Sequence, residues 1–261
     1  MKRHLALAGL VGLLATAFIV GCREDETTAP PANQIVPINA NFFPVAVGNR
    51  YIYEGYATAP STGTPIPDPG GVYRTSWTIV ALSTPTPIGG TATPVVDSTT
   101  TSLGSGNRTL LIKKDSVGDI HFIQSIGPFK RAFGISYGST AADTLIWVAV
   151  ARPSQGMGST GQSWAAYDST YTGTGGTQVR LQIFGVIEGV ETITDSSGSS
   201  TTHNTYRSRT WRKITAGGTV VQDDATTSRI WFEDAVGPVQ VRIVEDTENI
   251  GHFRVLQSKN F

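Results

Sequence analysis

The sequence predicts an all-β fold of antiparallel strands, arranged as a curved sheet, a half-barrel or barrel, or a β-sandwich. Composition is the first observation behind this prediction: 34 threonines, 29 glycines and 14 prolines occur among 261 residues. Threonine suits the pleated surface of a sheet, whereas glycine and proline favour turns. The second observation is apolar–polar alternation, and the third is that apolar residues rarely recur at helical spacing. Together they predict closely spaced strands without intervening helices.

Alternation is clearest in the segment VRLQI, Val179–Ile183, whose three apolar residues face one way and whose two polar residues face the other. Two hairpins are also expected, one turning near Asp115–Asp119 and one near Thr247–Gly251. The other strands predicted from the same pattern lie at Arg50–Tyr56, Val72–Leu82, Thr144–Ala151, Tyr206–Ile214, Arg229–Glu233 and Pro238–Val244.

The N-terminus has the features of a secretory signal. Lys2 and Arg3 precede the charge-free, mostly apolar run Leu5–Val20. That run is shorter than the roughly 20 residues that a membrane-spanning helix needs. A basic start, a short apolar core and a small-residue end predict a signal peptide over residues 1–21. Two alternatives remain: ordinary cleavage at Ala15–Ala17, and an uncleaved anchor helix.

The end of this segment, Ile19–Cys22 (IVGC), resembles the lipobox of bacterial lipoproteins. The resemblance implies cleavage before Cys22, a diacylglycerol on its sulfur, and a third, palmitate-like acyl chain on the new N-terminus. Cys22 is the only cysteine, and lipidation explains a thiol that would otherwise be unpaired in a secreted chain. Two or more acyl chains hold a protein stably on a membrane. Without disulfides, a hydrophobic core must hold the domain together.

Residues 22–41 are predicted to be the lipidated cysteine and a flexible tether, and residues 42–261 a β domain. The tether carries prolines, whose preceding residues favour extended backbone. Its acidic start, CREDE, resembles the tract that sends some Bacteroidetes lipoproteins to the cell surface, although a solvated charge run is an equal alternative. Arg23 stands where an aspartate would indicate inner-membrane retention. The outer membrane is therefore the expected location.

The charge balance argues against nucleic-acid binding. The whole chain has 20 basic and 20 acidic residues, and removal of Lys2 and Arg3 with the signal leaves a net charge of about −2. The broad basic field that nucleic-acid binders use is not expected. The expected partners are the membrane, through the anchor, and a lipid, glycan or envelope protein.

Two segments of the predicted domain resemble each other. Ala46–Tyr56 and Ser159–Thr170 each contain a glycine, an amide residue and then spaced aromatic residues. They suggest two related halves, 42–156 and 157–261, which would form either halves of one sheet or two subdomains. Chance similarity is the alternative.

The segment FFPVAVGNRYIYEG resembles the F-P-L-x-x-G-N-x-W-x-Y motif that starts the first strand in a group of uncharacterised bacterial lipoproteins. Met157–Trp164 and Ile230–Val241 resemble two later motifs of the same group. The group has no assigned chemistry, but some of its domains resemble the curved sheets of Lol lipoprotein carriers, which hold lipid in an apolar concavity. The present sequence departs from the motifs by having Val45 for leucine, Tyr51 for tryptophan and Ala235 for the first glycine of a G-V-G-x-V element.

A literal G-x-S-x-G occurs at Gly134–Gly138. In a hydrolase, Ser136 would be the nucleophile, His203 or His252 the base, and Asp195 or Asp224 the orienting acid. That motif requires a strand–turn–helix context on a parallel α/β sheet, which this sequence does not predict. We therefore expect no enzyme activity.

No metal or cofactor site is expected. His121, His203 and His252 are widely separated and lack zinc-ligand spacing. The acidic cluster Glu245–Glu248 lacks the glycine and spacing of a calcium loop.

One strand carries a candidate ligand or partner face: Arg207, Arg209, Trp211 and Lys213 project to the same side. Three cations beside an indole suit a phosphate, an acidic glycan or a headgroup. The alternative is a solvated outer face whose cations pair with carboxylates such as Asp223, Asp224 and Glu233.

The leading functional hypothesis is a non-catalytic lipoprotein that holds a hydrophobic or lipid-like ligand in an apolar pocket of several hundred Å³. A surface-exposed protein that binds glycan or protein is the alternative hypothesis. The large aromatic residues are expected in the core or lining such a pocket: Tyr51, Tyr53, Trp77, Trp164, Trp231 and Phe253.

Overall fold

The computed structural model describes residues 40–59, 64–66, 73–101, 104–154, 161–194, 201–244 and 251–261. The predicted signal peptide, Cys22 and nearly all of the predicted tether lie outside these residues, as does the turn expected near Thr247–Gly251. Ala40 is 2% exposed, so the folded domain begins no later than this residue, two residues before the predicted boundary.

The described chain is almost entirely antiparallel β-structure, which confirms the predicted fold class. One short helix, α1 (Gly127–Ala132), and two 3-10 turns, Ala141–Asp143 and Thr174–Gly176, interrupt it. The strands are β1 Arg50–Thr58, β2 Tyr73–Ile79, β3 Thr84–Pro85, β4 Thr91–Thr101, β5 Gly104–Lys114, β6 Ile120–Ser125, β7 Leu145–Ala151, β8 Ser163–Thr172, β9 Gln178–Thr194, β10 Thr202–Ala216, β11 Thr219–Glu233, β12 Gly237–Ile243 and β13 Gly251–Lys259.

The strands form one sheet that curls into a nearly closed barrel, so the sandwich alternative was wrong. Its order is β7-β6-β5-β4-β2-β1-β13-β12-β11-β10-β9-β8. The short strand β3 is not part of this order and pairs only with β4. The chain therefore starts in the middle of the sheet, runs to one edge at β7, crosses to the other edge at β8 and returns to pair β13 with β1. Because the sheet nearly closes, the two edge strands, β7 and β8, lie next to each other.

Side chains bridge this seam between β7 and β8. Among the described residues, no backbone ladder joins the two strands. Instead, the Trp164 indole N–H on β8 donates to the Ala149 carbonyl on β7 at 3.0 Å. The Ser208 hydroxyl on β10 donates to the Val150 carbonyl. Two carbonyls of β7, those of Ala149 and Val150, thus accept hydrogen bonds from side chains of β8 and β10.

Aromatic side chains fill the end of the barrel at which β1 begins. Phe42 stacks on Phe232 with 5.4 Å between ring centroids, and Phe43 stacks on Tyr51 at 5.8 Å. The Tyr53 hydroxyl donates to a backbone carbonyl of β12 at 3.0 Å. All five side chains are fully buried. The NFFP segment therefore closes this end of the core, and the prediction that Tyr51 and Tyr53 face the core is confirmed.

The starts of β1 and β8 share their local geometry. Gly48 and Gly161 have φ values of 91° and 95°, which glycine adopts without steric cost. Each glycine N–H donates to an isoleucine carbonyl of the adjacent strand, at 2.9 and 2.8 Å. A buried aromatic residue follows three positions later, Tyr51 in β1 and Trp164 in β8. The sequence similarity between these segments thus has a structural counterpart.

Most strand predictions agree with the structure. Val179, Leu181 and Ile183 are buried and Arg180 is exposed, as the alternation predicted. The hairpin between β5 and β6 turns at Asp115–Asp119, where Asp115 Oδ1 accepts backbone N–H groups of the turn at 3.1 and 2.9 Å. Helix α1 was not predicted, because six residues are too few to show a helical period.

Candidate functional site

A cavity of about 460 Å³ lies inside the barrel beside α1. Residues from both halves of the sheet form its walls, and Phe129 of α1 forms part of its boundary. Trp77 also reaches this cavity, in agreement with the expectation that an aromatic residue lines it. The apolar lining includes Leu110, Phe122, Phe129, Leu181, Ile183 and Ile230.

A polar row interrupts the apolar wall on β10 and β11. Ser208, Thr210 and Ile214 alternate along β10 with their side chains buried, which places Arg212 on the same inner face. The Thr210 and Ser228 hydroxyl oxygens lie 2.8 Å apart, joining the two strands inside the barrel. Arg212 and Ser228 both line the cavity. The cavity is therefore amphipathic.

A buried ionic cluster borders the cavity at Arg108. Asp97 Oδ2 accepts hydrogen bonds from Arg254 Nη1 at 3.0 Å and from Arg108 Nε at 2.8 Å. Asp97 Oδ1 accepts the Thr75 hydroxyl at 2.6 Å. The side chains of Asp97 and Arg254 are 0% and 2% exposed, whereas that of Arg108, which lines the cavity, is 36% exposed. A single carboxylate thus serves two guanidinium groups.

The surroundings keep Asp97 ionised. Burial by itself would raise the pKa of this carboxyl, but Arg254, the Thr75 hydroxyl and Arg108 together outweigh burial, so the pKa of Asp97 lies below its ordinary value. Tyr73 completes the cluster, since Arg254 Nε donates to its hydroxyl oxygen at 3.3 Å. Burial raises the pKa of Tyr73, and Arg254 partly opposes that change. Tyr73 therefore stays a neutral phenol at physiological pH.

The predicted partner face lies on the outside of the barrel, because the alternate residues of β10 point inward. Glu188, at a β-bulge of β9, faces three arginines of this surface. Its carboxylate lies 2.8 Å from Arg207 Nε, 2.8 Å from Arg209 Nε and 3.4 Å from Arg229 Nε. Glu191 adds a contact of 3.4 Å to Arg207. These carboxylates compensate most of the positive charge that the sequence places here.

The remaining residues of the predicted face also have partners on neighbouring strands. Trp211 stacks on Phe184 with 5.4 Å between ring centroids, and the Arg209 guanidinium lies 4.6 Å from the Trp211 ring. Lys213 Nζ lies 3.2 Å from an Asp223 carboxylate oxygen. Asp223 is thus one of the carboxylates that the sequence suggested as partners for the cations of this face. Glu233 instead lies 2.6 Å from His203 Nδ1, and the side chain of Asp224 is outside the described residues.

Two aromatic residues expected in the core lie elsewhere. Trp231 is 7% exposed, but it follows the inward-facing Ile230 and opposes Arg207, so it lies on the outer face. Phe253 is half-buried and stacks on Tyr56 at 5.2 Å. Sequence alternation alone could not separate these residues from core aromatics, because large side chains bury one another on either face.

Ser136 and His203 are not brought together. Ser136 follows Phe133, whose carbonyl accepts the Thr174 N–H just before β9 begins. His203 pairs with Ile193 at the far end of the same strand. The 17 residues of β9 span about 55 Å at roughly 3.3 Å per residue. Ser136 and His203 thus lie at opposite ends of the barrel, and Asp195 lies outside the described residues.

The other histidines have separate partners. His252 Nδ1 lies 3.1 Å from the Tyr73 hydroxyl, and His121 Nε2 lies 3.4 Å from an Asp115 carboxylate oxygen. Across the residues that the structure describes, no group of three or more potential metal ligands is found. The acidic cluster Glu245–Glu248 falls outside them.

No helix in the described part of the chain is long and apolar enough to span a membrane. Residues 1–21, for which a signal is predicted, are not among those described.

Sequence reasoning missed the ionic cluster and the polar row. Arg254 is in phase with the buried Leu256, and Asp97 is in phase with the buried Val95. Opposite charges at inward-facing positions of two strands can be recognised in the sequence as a sign of a buried ion pair. Their pairing depends on β1 and β2 lying between β13 and β4, which the sequence does not reveal.

No protein-family model matches the chain, and no curated protein matches it. Among solved structures, it is similar to a protein of Parabacteroides distasonis described as a lipoprotein, with 14% identity, a TM-score of 0.39, and coverage of 85% of this chain and 99% of that one. It is also similar to a protein of Bacteroides fragilis described as exported and as having a YmcC-like fold, with 12% identity, a TM-score of 0.36, and coverage of 85% and 100%. Similarity at this level is not evidence of function.

Proposed function

We propose that this chain is a membrane-anchored lipoprotein of the cell envelope whose β domain binds a hydrophobic ligand inside the barrel. The observation that carries the proposal is the cavity of about 460 Å³. Its volume falls within the roughly 300–1,000 Å³ of typical ligand sites. Its largely apolar lining with a few convergent polar groups is also typical of such sites.

The anchor is proposed from the sequence. The IVGC motif supports lipidation at Cys22, and Arg23 supports an outer-membrane location. The resemblance to uncharacterised lipoproteins points the same way. No catalytic role is proposed, since Gly134–Gly138 follows α1 in an antiparallel fold and lacks the strand–turn–helix context on a parallel sheet that a hydrolase nucleophile needs.

Binding of glycan or protein through the outer face has less support. The guanidinium groups of Arg207, Arg209 and Arg229 already contact Glu188, and Lys213 contacts Asp223. An anionic partner would have to compete with these ion pairs, which supports a structural role for this face.

Native mass spectrometry of the full chain, extracted from membranes in a mild detergent, tests the proposed function. We expect a bound lipid-sized mass in addition to any covalent acyl chains. Leu110 is half-buried and lines the cavity, so Leu110→Trp should fill part of the space and lower ligand occupancy several-fold. Lys113→Trp is the matched control, because Lys113 is exposed on the same strand.

Two results would contradict the proposal. One is wild-type protein that carries no non-covalent ligand in any extraction condition. The other is equal ligand occupancy in Leu110→Trp and wild type when circular dichroism shows both to be folded.

A further inference from the structure

The two arginines that line the cavity stand on different walls of the barrel. Arg108 is on β5, where it opposes Asp97 of β4. Arg212 is on β10, on the inner face it shares with Thr210 and Ile214. Both contribute to the lining, together with the hydroxyl residue Ser228. A ligand in the cavity is therefore within reach of guanidinium groups as well as apolar side chains.

The contacts of Asp97 hold Arg108 in place at the cavity. Asp97 is fully buried, and its Oδ2 lies between Arg108 Nε and Arg254 Nη1 at 2.8 and 3.0 Å. These three side chains bring two positive charges and one negative charge to the wall beside Trp77.

Such an arrangement favours an anion over a neutral group. Electrostatic attraction is much stronger in a low-dielectric cavity than in water. Guanidinium groups bind carboxylates and phosphates through paired, charge-assisted hydrogen bonds. Most of the other lining residues, including Leu110, Phe122 and Leu181, offer apolar contact. The lining as a whole fits a molecule with one anionic end and one apolar chain.

We propose that the ligand of the cavity is an anionic amphiphile, whose carboxylate or phosphate lies at Arg108 and Arg212 and whose chain lies along the apolar wall. This inference rests on the proposed ligand-binding function. To that function it adds a preference for an anionic head group, because a purely hydrophobic site would not distinguish an anionic head group from a neutral one.

Photocrosslinking in membranes that contain the full chain tests this inference. The probes are a 12-carbon carboxylic acid with a diazirine in its chain, the corresponding alkyl phosphate and the corresponding primary alcohol. We expect the acid and the phosphate to label cavity peptides several-fold more than the alcohol. Arg108→Gln with Arg212→Gln should lower labelling by the acid about tenfold, to the level of the alcohol, because charge-assisted hydrogen bonds are lost.

Control variants separate charge from folding. Arg180→Gln removes an exposed arginine of β9 that pairs with Asp168 on the outer face, and should leave labelling unchanged. Arg108→Lys keeps the charge and should retain much of the preference for the acid. If Arg108→Gln no longer unfolds cooperatively on heating, Arg212→Gln alone carries the test. Arg108 is the arginine that pairs with the buried Asp97, whereas Arg212 lies on β10.

The outcomes distinguish the two proposals. If neither the acid nor the alcohol labels cavity peptides of the wild type, the proposed function itself fails. If both label equally, or if the arginine variants keep the preference for the acid, only the anionic head group is overturned. Displacement of the acid by an equal concentration of inorganic phosphate would also overturn the inference, because the apolar chain would then contribute nothing.

Discussion

Ala235 adopts a backbone conformation that favours glycine. Its φ is 58°, in the left-handed region, where a residue with a Cβ is less stable by roughly 1–2 kcal/mol. It lies in the turn between β11 and β12, and its N–H donates to the Asn41 carbonyl at 3.1 Å. The turn is therefore strained where the N-terminal segment docks.

Substitution of Ala235 by glycine should stabilise the protein. Relief of the Cβ contact outweighs the added entropy of the unfolded chain, so the free energy of unfolding should rise by about 0.5–1 kcal/mol. Urea unfolding measures this change. Ala46→Gly, at an exposed alanine without a positive φ, is the control and should lower stability slightly. An equal loss of stability in both variants would refute the strain at Ala235.

At the scale of elements, the seam between β7 and β8 depends on one glycine. The Trp164 indole lies directly over Gly185 of β9, and a Cβ at Gly185 would lie 2.3 Å from Trp164 Cε2. From this position the indole N–H reaches the Ala149 carbonyl of β7. Gly185 thus makes room for the side chain that joins the two edges of the sheet.

Gly185→Ala should displace Trp164 and weaken the seam. Overpacking and the lost hydrogen bond together should lower the free energy of unfolding by about 2–3 kcal/mol. Hydrogen exchange should show faster exchange of β7 amides, while β1 amides change less. Gly106→Ala is the matched control, since a Cβ at Gly106 on β5 meets no atom within 4 Å. Unchanged exchange in β7 would mean that Trp164 does not hold the seam.

At the scale of the whole molecule, the ionic cluster links strands that are far apart in the sequence. Asp97 of β4, Arg254 of β13, and Thr75 and Tyr73 of β2 meet inside the barrel. β1 separates β13 from β2, and Gly55 on β1 faces Arg254 across the strand pair. The Arg254 side chain thus spans the inner faces of β1 and β2 to reach Asp97.

Asp97→Asn should lower stability in a pH-dependent way. Removal of one charge from a buried pair typically costs about 3–5 kcal/mol. Because the folded-state pKa of Asp97 lies below the unfolded value of about 3.9, the unfolded chain takes up the proton first as the pH falls. The contribution of Asp97 is therefore complete above about pH 5 and disappears as the pH falls through its depressed folded-state pKa.

Urea unfolding of the wild type and Asp97→Asn between pH 7 and pH 2.5 measures this difference. We expect the two stabilities to converge in the acidic part of the range. Asp168→Asn is the control, because Asp168 pairs with Arg180 on the exposed outer face and should cause little change at any pH. A difference that stays constant down to pH 2.5 would contradict the assigned role of Asp97.

Local patterns predicted the strands and much of the core. Alternation placed Leu181 and Ile183 inward, and the first-strand motif placed Tyr51 and Tyr53 in the core. The candidate site was harder to predict from the sequence. The pattern correctly put Arg207 and its neighbours on one face, but the carboxylate of Glu188 that compensates them lies in a bulge, whose extra residue no alternating pattern shows.

The sequence by itself determined the all-β class and the directions of most strand side chains, and it alone predicts the N-terminal lipid anchor. These features depend on residue type and spacing within one short segment. Only the tertiary structure decided that the sheet nearly closes, that Asp97 meets Arg254, and that a cavity lined by Arg108 and Arg212 remains beside α1. Each of these requires contacts between residues distant in the chain, whose formation depends on strand order and on the curvature of the whole sheet.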